Sequence, residues 1–384
     1  MPSASVMSRS GSRWMLGRCA VVLTVLTCGL TGLGDSARVR ADEVSSALYV
    51  RTDTDQTTVI SPRARGSKNL GDSTRVDVTY AADVWTSASI DIRASASVRP
   101  VTEQRDELDL SLGQELEDLH LRASYRFSTE HDYTSHGVTL GAALDLASNA
   151  STLDASLHVI GDTVGQAGNP SFSRSLTTID GSFSFTQVLD PQMWMQLTYE
   201  LAHNDGYQSS PYRWVGVGGT GFGCVGAHLC LPERVPSVRT RHAMALVVRR
   251  ALSNSISAGL TYRYYFDDWS LSSHTLLGEL GWNIGEHSLL ALRYRFYTQG
   301  AAEFYQRTYL SLATDQYRTR DRELSKLVYQ RAGAELEHEF LLSEQGAKLA
   351  GTLAIGGNFY SYADFVGLSQ VTALEVSLGL MLQI

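Results

Sequence analysis

The last eleven residues of the chain alternate without a break. Leu374, Val376, Leu378, Leu380, Leu382 and Ile384 hold one set of positions, and Glu375, Ser377, Gly379, Met381 and Gln383 hold the other. Successive side chains of an extended strand point to opposite faces, so this segment has one greasy face and one small or polar face. The same period recurs upstream. Ile256, Ala258, Leu260, Tyr262 and Tyr264 alternate with Ser257, Gly259, Thr261, Arg263 and Tyr265; Leu290, Leu292, Tyr294 and Phe296 leave Arg293 and Arg295 on the second face. Glu335, Glu337 and Glu339 share a face further on. A soluble sandwich would use shorter strands, with prolines and charges at its edges. Long strands, apolar only at every second residue, with aromatics such as Tyr262, Tyr264, Trp282, Tyr294 and Phe296 near their ends, predict a transmembrane barrel.

Connection lengths give an independent reading. Tight connections are expected at 113–118, 146–151, 189–192, 252–255, 283–288 and 343–348. Longer ones are expected between them, at 85–105, 129–133, 163–175, 206–238, 266–272, 300–324 and 361–370. Short turns at one end and long loops at the other is the arrangement of outer-membrane barrels. Counting back from the C-terminus gives fourteen strands down to Thr74, and a hairpin around Asp53 to Gln56 raises the number to about sixteen. The fold class is therefore all-β, an antiparallel up-and-down transmembrane β-barrel of about 16 strands, with 14 as the fallback.

The N-terminus fits an export signal. Arg9, Arg13 and Arg18 precede an apolar run at 19–30 that is too short to span a bilayer, and Val39 to Ala41 offers a small-residue cleavage site. Residues 1–41 are read as a cleaved signal peptide and 42–384 as the barrel. The whole chain carries 32 basic and 40 acidic residues. The leader holds five arginines and one aspartate, which leaves 27 against 39, or −12, for the mature chain. Such a balance argues against nucleic acid as a partner. Of the four cysteines, Cys224 and Cys230 remain after export and are expected to form a disulfide.

Parity places Arg249, Arg263, Arg293 and Arg295 inside the barrel, with Glu279, Glu335, Glu337 and Glu339 facing them. Rings of lumen charge set the selectivity of pores; the same array would also brace the wall, because buried charge must be paired. The stretch Asp267, Asp268, Trp269 to His274 is read as an external turn. Its aspartates start the turn and its tryptophan anchors at the interface. A rival reading gathers Asp267, Asp268 and His274 around a cation such as calcium. The glycine-rich run 216–230 resembles a phosphate-binding loop, but it lacks the lysine and the strand-then-helix context. No metal, cofactor or catalytic motif appears, and no enzyme activity is expected.

Taken together, DVWTSAS (83–89), SSPYR (209–213), PERVPSVRTR (232–241), YRYYFDDWSLSSHT (262–275) and RYRFYTQGAAEFY (293–305) resemble the outer-membrane family known as domain of unknown function 3570. The resemblance is spread over most of the mature chain. It implies an outer-membrane β-barrel, and a redox context, since the family occurs near thioredoxin-like and flavin-attaching proteins. The chain ends on Ile384 where such barrels usually end on an aromatic. The reading is a porin-like passage for small solutes in the bacterial outer membrane, with membrane lipid and the barrel-assembly machinery as partners. The alternatives are a plugged barrel that serves as a scaffold for a periplasmic partner, and a rim hydrolase.

Overall fold

The computed structural model describes residues 42–87, 89, 101–219, 224, 226–311, 316–341 and 347–384. The expected leader lies outside the described residues. In chain order the first nine strands are β1 (Glu43–Asp53), β2 (Thr57–Leu70), β3 (Thr74–Ser87), β4 (Val101–Leu116), β5 (Leu119–Glu130), β6 (Tyr133–Leu146), β7 (Ser151–Val164), β8 (Arg174–Asp190) and β9 (Met193–Gly206). A separate small hairpin follows, β10 (Trp214–Val217) and β11 (Leu229–Pro232). The chain then resumes with β12 (Val238–Ala251), β13 (Ile256–Asp267), β14 (Ser272–Ile284), β15 (Ser288–Gln299), β16 (Leu327–Leu341), β17 (Lys348–Tyr362) and β18 (Gln370–Gln383).

Sixteen of these strands form one closed antiparallel barrel, in which β9 pairs with β12 and β18 returns to β1. The seam runs from Glu43 opposite Gln383 to Asp53 opposite Ala373. Because β1 pairs on its other side with β2, the first hairpin belongs to the wall, and the strand number is sixteen rather than fourteen. Closure leaves no free edge, so the ladder groups of every barrel strand have partners. A sheet surrounded by hydrocarbon has no other way to satisfy them.

The alternation read from the sequence sorts the wall into two faces. Leu48, Leu353 and Leu378 lie side by side on three neighbouring strands and are all exposed on the outside. Leu140, Leu157, Phe183, Leu197, Leu260, Trp282 and Tyr294 continue the apolar exterior around the barrel. The barrel strands run from 11 to 17 residues. About 9–11 suffice to cross a bilayer, so the strand ends project beyond the hydrocarbon.

Asp42, the first described residue, Ile384 and tight turns such as 117–118, 147–150 and 252–255 lie at one end of the barrel. The loops 165–173, 207–237, 300–326 and 363–369 lie at the other. The asymmetry is weaker than the sequence suggested, because the loop-end connections 131–132 and 268–271 are also tight. Packed apolar side chains gather at the loop end. One cluster holds Val235, Trp269, Leu271, Ala302, Phe304 and Leu324; a second holds Leu327, Tyr362, Phe365 and Val371; a third holds Val215, Val217 and Tyr309. The densest packing is therefore a cap of loops at one mouth.

Candidate functional site

The lumen wall carries a chain of ion pairs along one row of the sheet. Arg249 on β12 lies opposite Gly259 on β13, Gly259 opposite Glu279 on β14, and Glu279 opposite Arg293 on β15. Gly259 has no side chain, so the Arg249 guanidinium lies across β13 and pairs with Glu279. Arg293 continues the row, with its Nε 3.2 Å from Glu279 Oε1 and its Nη1 2.9 Å from Glu335 Oε2 on β16. Arg263 Nη2 lies 2.7 Å from Glu200 Oε2. Arg331 Nε lies 3.1 Å from Glu375 Oε2, in a gap where a Cβ on Gly356 would come within 2.9 Å of Arg331 Nη2. Arg295 stands directly opposite Arg331 and lies over the Tyr329 ring, 5.9 Å from its centroid. Glu337 and Glu339 continue down β16 towards the terminal end; among the described residues no ion pair joins either to a cation. Sequence reasoning passed over Glu200, Arg331 and Glu375, although their parity within their strands marks them as inward.

These pairs are not fully buried. The side chains of Arg263 and Glu200 keep 33% and 25% of their surface open to the lumen. Half-exposed pairs of this kind contribute little stability each, on the order of 1 kcal/mol or less.

The wall of β3 to β8 has a different balance. Its inward positions hold Asp77, Asp83, Glu103, Glu107, Asp109, Glu115, Glu130, Asp145, Asp154, Asp162 and Asp180. The arginines on the same inner face are Arg75, Arg105, Arg122, Arg126 and, at the loop end of β8, Arg174. Arg122 pairs with Asp154 at 2.6 Å, Arg105 pairs with Asp83, and Arg126 meets His158 Nε2 at 3.1 Å. Eleven carboxylates thus face five guanidiniums. Asp162 Oδ1 and Asp180 Oδ1 are buried and accept no hydrogen bond from the described residues.

At the turn 268–271 the aspartate starts the turn as read from the sequence, but the tryptophan does not anchor at the interface and the cation reading fails. Asp267 ends β13 and its side chain is fully buried. Its Oδ2 accepts from Arg239 Nε at 2.9 Å and from the Tyr265 hydroxyl at 2.7 Å. Its Oδ1 accepts from the amides of Trp269 and Leu271, which closes the turn. Asp268 accepts from the Thr240 amide at 2.9 Å. Trp269 is 4% exposed: it packs against Phe304 under the Arg239 guanidinium, and its Nε1 donates to Val238 O. It is a core residue of the loop cap, not an interface anchor. His274 lies in β14 on the outer face and shares a 2.8 Å hydrogen bond between its Nδ1 and the Tyr262 hydroxyl. The alternation of β14 sends it to the opposite side of the wall from Asp267, so the three residues do not gather around a cation. The arrangement repeats: His136 meets Tyr125, and His242 meets Tyr199, again at 2.8 Å.

Loops 207–237 and 300–326 reach across the mouth and hold each other. Their backbones exchange two hydrogen bonds between Arg234 and Arg318. Arg213 Nη1 lies 3.0 Å from Glu233 Oε1 and 3.1 Å from Asp321 Oδ2, and Thr319 Oγ1 donates to Glu233. Burial pushes the Glu233 carboxyl up from its ordinary range, and the neighbouring Asp321 adds to this, against the opposing pull of Arg213. Outward from this knot, Tyr212 donates to Asp132 beside β5 on one side. On the other, Tyr305 donates to Asp364 O, and Arg322 Nη1 lies 2.6 Å from Asp55 Oδ2 in the β1–β2 turn. Cys224 and Cys230 are joined by a disulfide. It closes the glycine-rich run, whose Gly219 has φ +103° and where a Cβ would collide with Gly226 O. Glycine serves a tight hairpin here.

Similarity to known proteins extends this description. A bacterial polysaccharide outer membrane secretin superposes with a TM-score of 0.52 at 9% identity, over 91% of this chain and 100% of that one. OprD from Pseudomonas aeruginosa aligns with a TM-score of 0.44 at 10% identity, over 90% and 93%. The CymD monoaromatic hydrocarbon channel aligns with a TM-score of 0.42 at 10% identity, over 94% and 97%. At such identities the likeness is one of fold, and the fold is that of outer-membrane β-barrels. No curated protein matches the sequence. The model of the family described as protein of unknown function (DUF3570) matches residues 92–177 and 173–345, more than half of the chain, and the chain belongs to that family.

Proposed function

We propose that this protein is exported, is inserted into the outer membrane by the barrel-assembly machinery, and passes small solutes through its lumen. The loop end faces outward and the termini face the periplasm. Arg249, Arg263, Arg293 and Arg295, with Glu279, Glu335, Glu337 and Glu339, set the size and charge of what passes. The observation that carries this reading is the part-exposed, charged inner face of a closed wall whose outer face is apolar. Loops 207–237 and 300–326 restrict the outer mouth.

A second reading is a barrel plugged at its mouth and used as a scaffold. The extent of the loop cap, from Asp132 to Asp55, favours it. The rim-hydrolase reading gains nothing from His274, which faces outward beside Tyr262.

Single-channel conductance of the refolded protein in a planar bilayer separates the first two. Stable open steps, with selectivity that shifts in Arg293→Ala or Arg295→Ala, support the pore. A silent bilayer, with folding established by circular dichroism, favours the scaffold.

A further inference from the structure

We infer that the open lumen prefers cations, and that the inner face of β3 to β8 sets this preference. The inference rests on the porin reading and narrows its solute class to positively charged molecules and metal cations.

The Arg/Glu row on β12 to β16 is largely self-cancelling. Arg249, Glu279, Arg293 and Glu335 form one run of alternating sign, so its field falls off over a short distance. The opposite wall does not cancel. Its inward positions carry eleven carboxylates against five arginines, and the adjoining β2 adds Arg65, 2.8 Å from Asp77. Asp162 is 8% exposed, and its Oδ1 has no hydrogen-bond partner among the described residues; Asp180 Oδ1 also has none. Asp109 has a serine hydroxyl, Ser111 Oγ, as its hydrogen-bond donor at 2.7 Å. A carboxylate oxygen withdrawn from water with no donor is costly unless positive charge stands near it. Asp180 has His158 Nδ1 3.8 Å from its Oδ2 and the Arg241 guanidinium of β12 acting on it; for the rest of this surplus, mobile cations in the lumen supply the charge. At about 0.1 M salt the screening length is about 10 Å, so a permeating ion feels this wall.

The test is the reversal potential of the refolded full-length protein in a potassium chloride gradient. The expected sign is that of potassium permeating ahead of chloride. The triple variant Asp109→Asn, Asp162→Asn and Asp180→Asn should lose at least half of the shift. Glu337→Gln with Glu339→Gln, on the other wall, should lose less. Raising the salt to about 1 M shortens the screening length to about 3 Å and should abolish most of the preference. Open steps with chloride preference, with no preference, or with a reversal potential untouched by the triple variant would overturn the inference while leaving the porin reading intact. A bilayer silent with the parent protein would remove the porin reading, and this inference with it. If the triple variant does not fold, each single variant should move the reversal potential in the same direction, and no movement in any of them counts against the inference.

Discussion

Asp267 holds one end of β13, one turn and one arginine with a single carboxylate. Both partners of the Arg239–Asp267 pair are nearly or fully buried. Removing one partner of such a pair strands the other charge, so Asp267→Ala should cost about 3–5 kcal/mol in denaturant unfolding from lipid. Asp268→Ala removes one exposed contact to the Thr240 amide and should cost no more than about 1 kcal/mol. Glu233 gives a pH signature. Its carboxyl is pushed up in the folded cap, so the folded state holds a proton that the unfolded chain releases. The contribution is therefore present below the ordinary carboxylate range, about pH 4.3, and is lost as pH rises through the folded value. Open intervals in single-channel records should lengthen over that rise, and Glu233→Gln should flatten the dependence. Residue identity alone did not disclose these roles. Trp269 reads as an interface tryptophan from its turn, yet Phe304, 35 positions later, covers it. Asp267 takes its cation from the neighbouring strand β12, Glu233 is held by Arg213 of its own loop and Thr319 of another, and sequence spacing does not say which of these segments meet.

Strands were the legible elements, because the direction of a side chain from a strand is a local property. The parity that put Arg293 inside and Tyr294 outside needs no knowledge of the rest of the chain. It also predicts an asymmetric tolerance to charge. Leu378 on β18 lies in an outward row with Leu48 and Leu353, and Leu378→Arg should cost about 2–4 kcal/mol in a bilayer folding titration. Ser377→Arg, one position away on the inner face, should cost much less. Loops followed other rules. The two four-residue strands β10 and β11 flank the glycine-rich run and are too short to show the alternation of a wall strand, so periodicity gives no sign of them. The connection at 131–132 looks longer in the sequence than it is, because the strand ends beside it are polar and resemble loop.

At the scale of the whole molecule, the cap and the channel are opposed. Ala302 N donates to Leu324 O, so the two ends of the long β15–β16 loop already touch. Replacing 304–322 by a short flexible linker should leave the wall closed and raise the unitary conductance in planar bilayers; unchanged conductance would mean that this loop does not restrict the path. The replacement also removes Arg322, and with it the link to Asp55. That link has a consequence for how the ring is kept closed. Asp55 belongs to the first hairpin, Arg322 to a loop three strands before the end of the ring, and the joint between first and last strands runs between them. With the ring closed, the bridge spans that joint at the outer mouth. An unfinished ring would leak at that joint, and the bolt across its outer door lies over the same place.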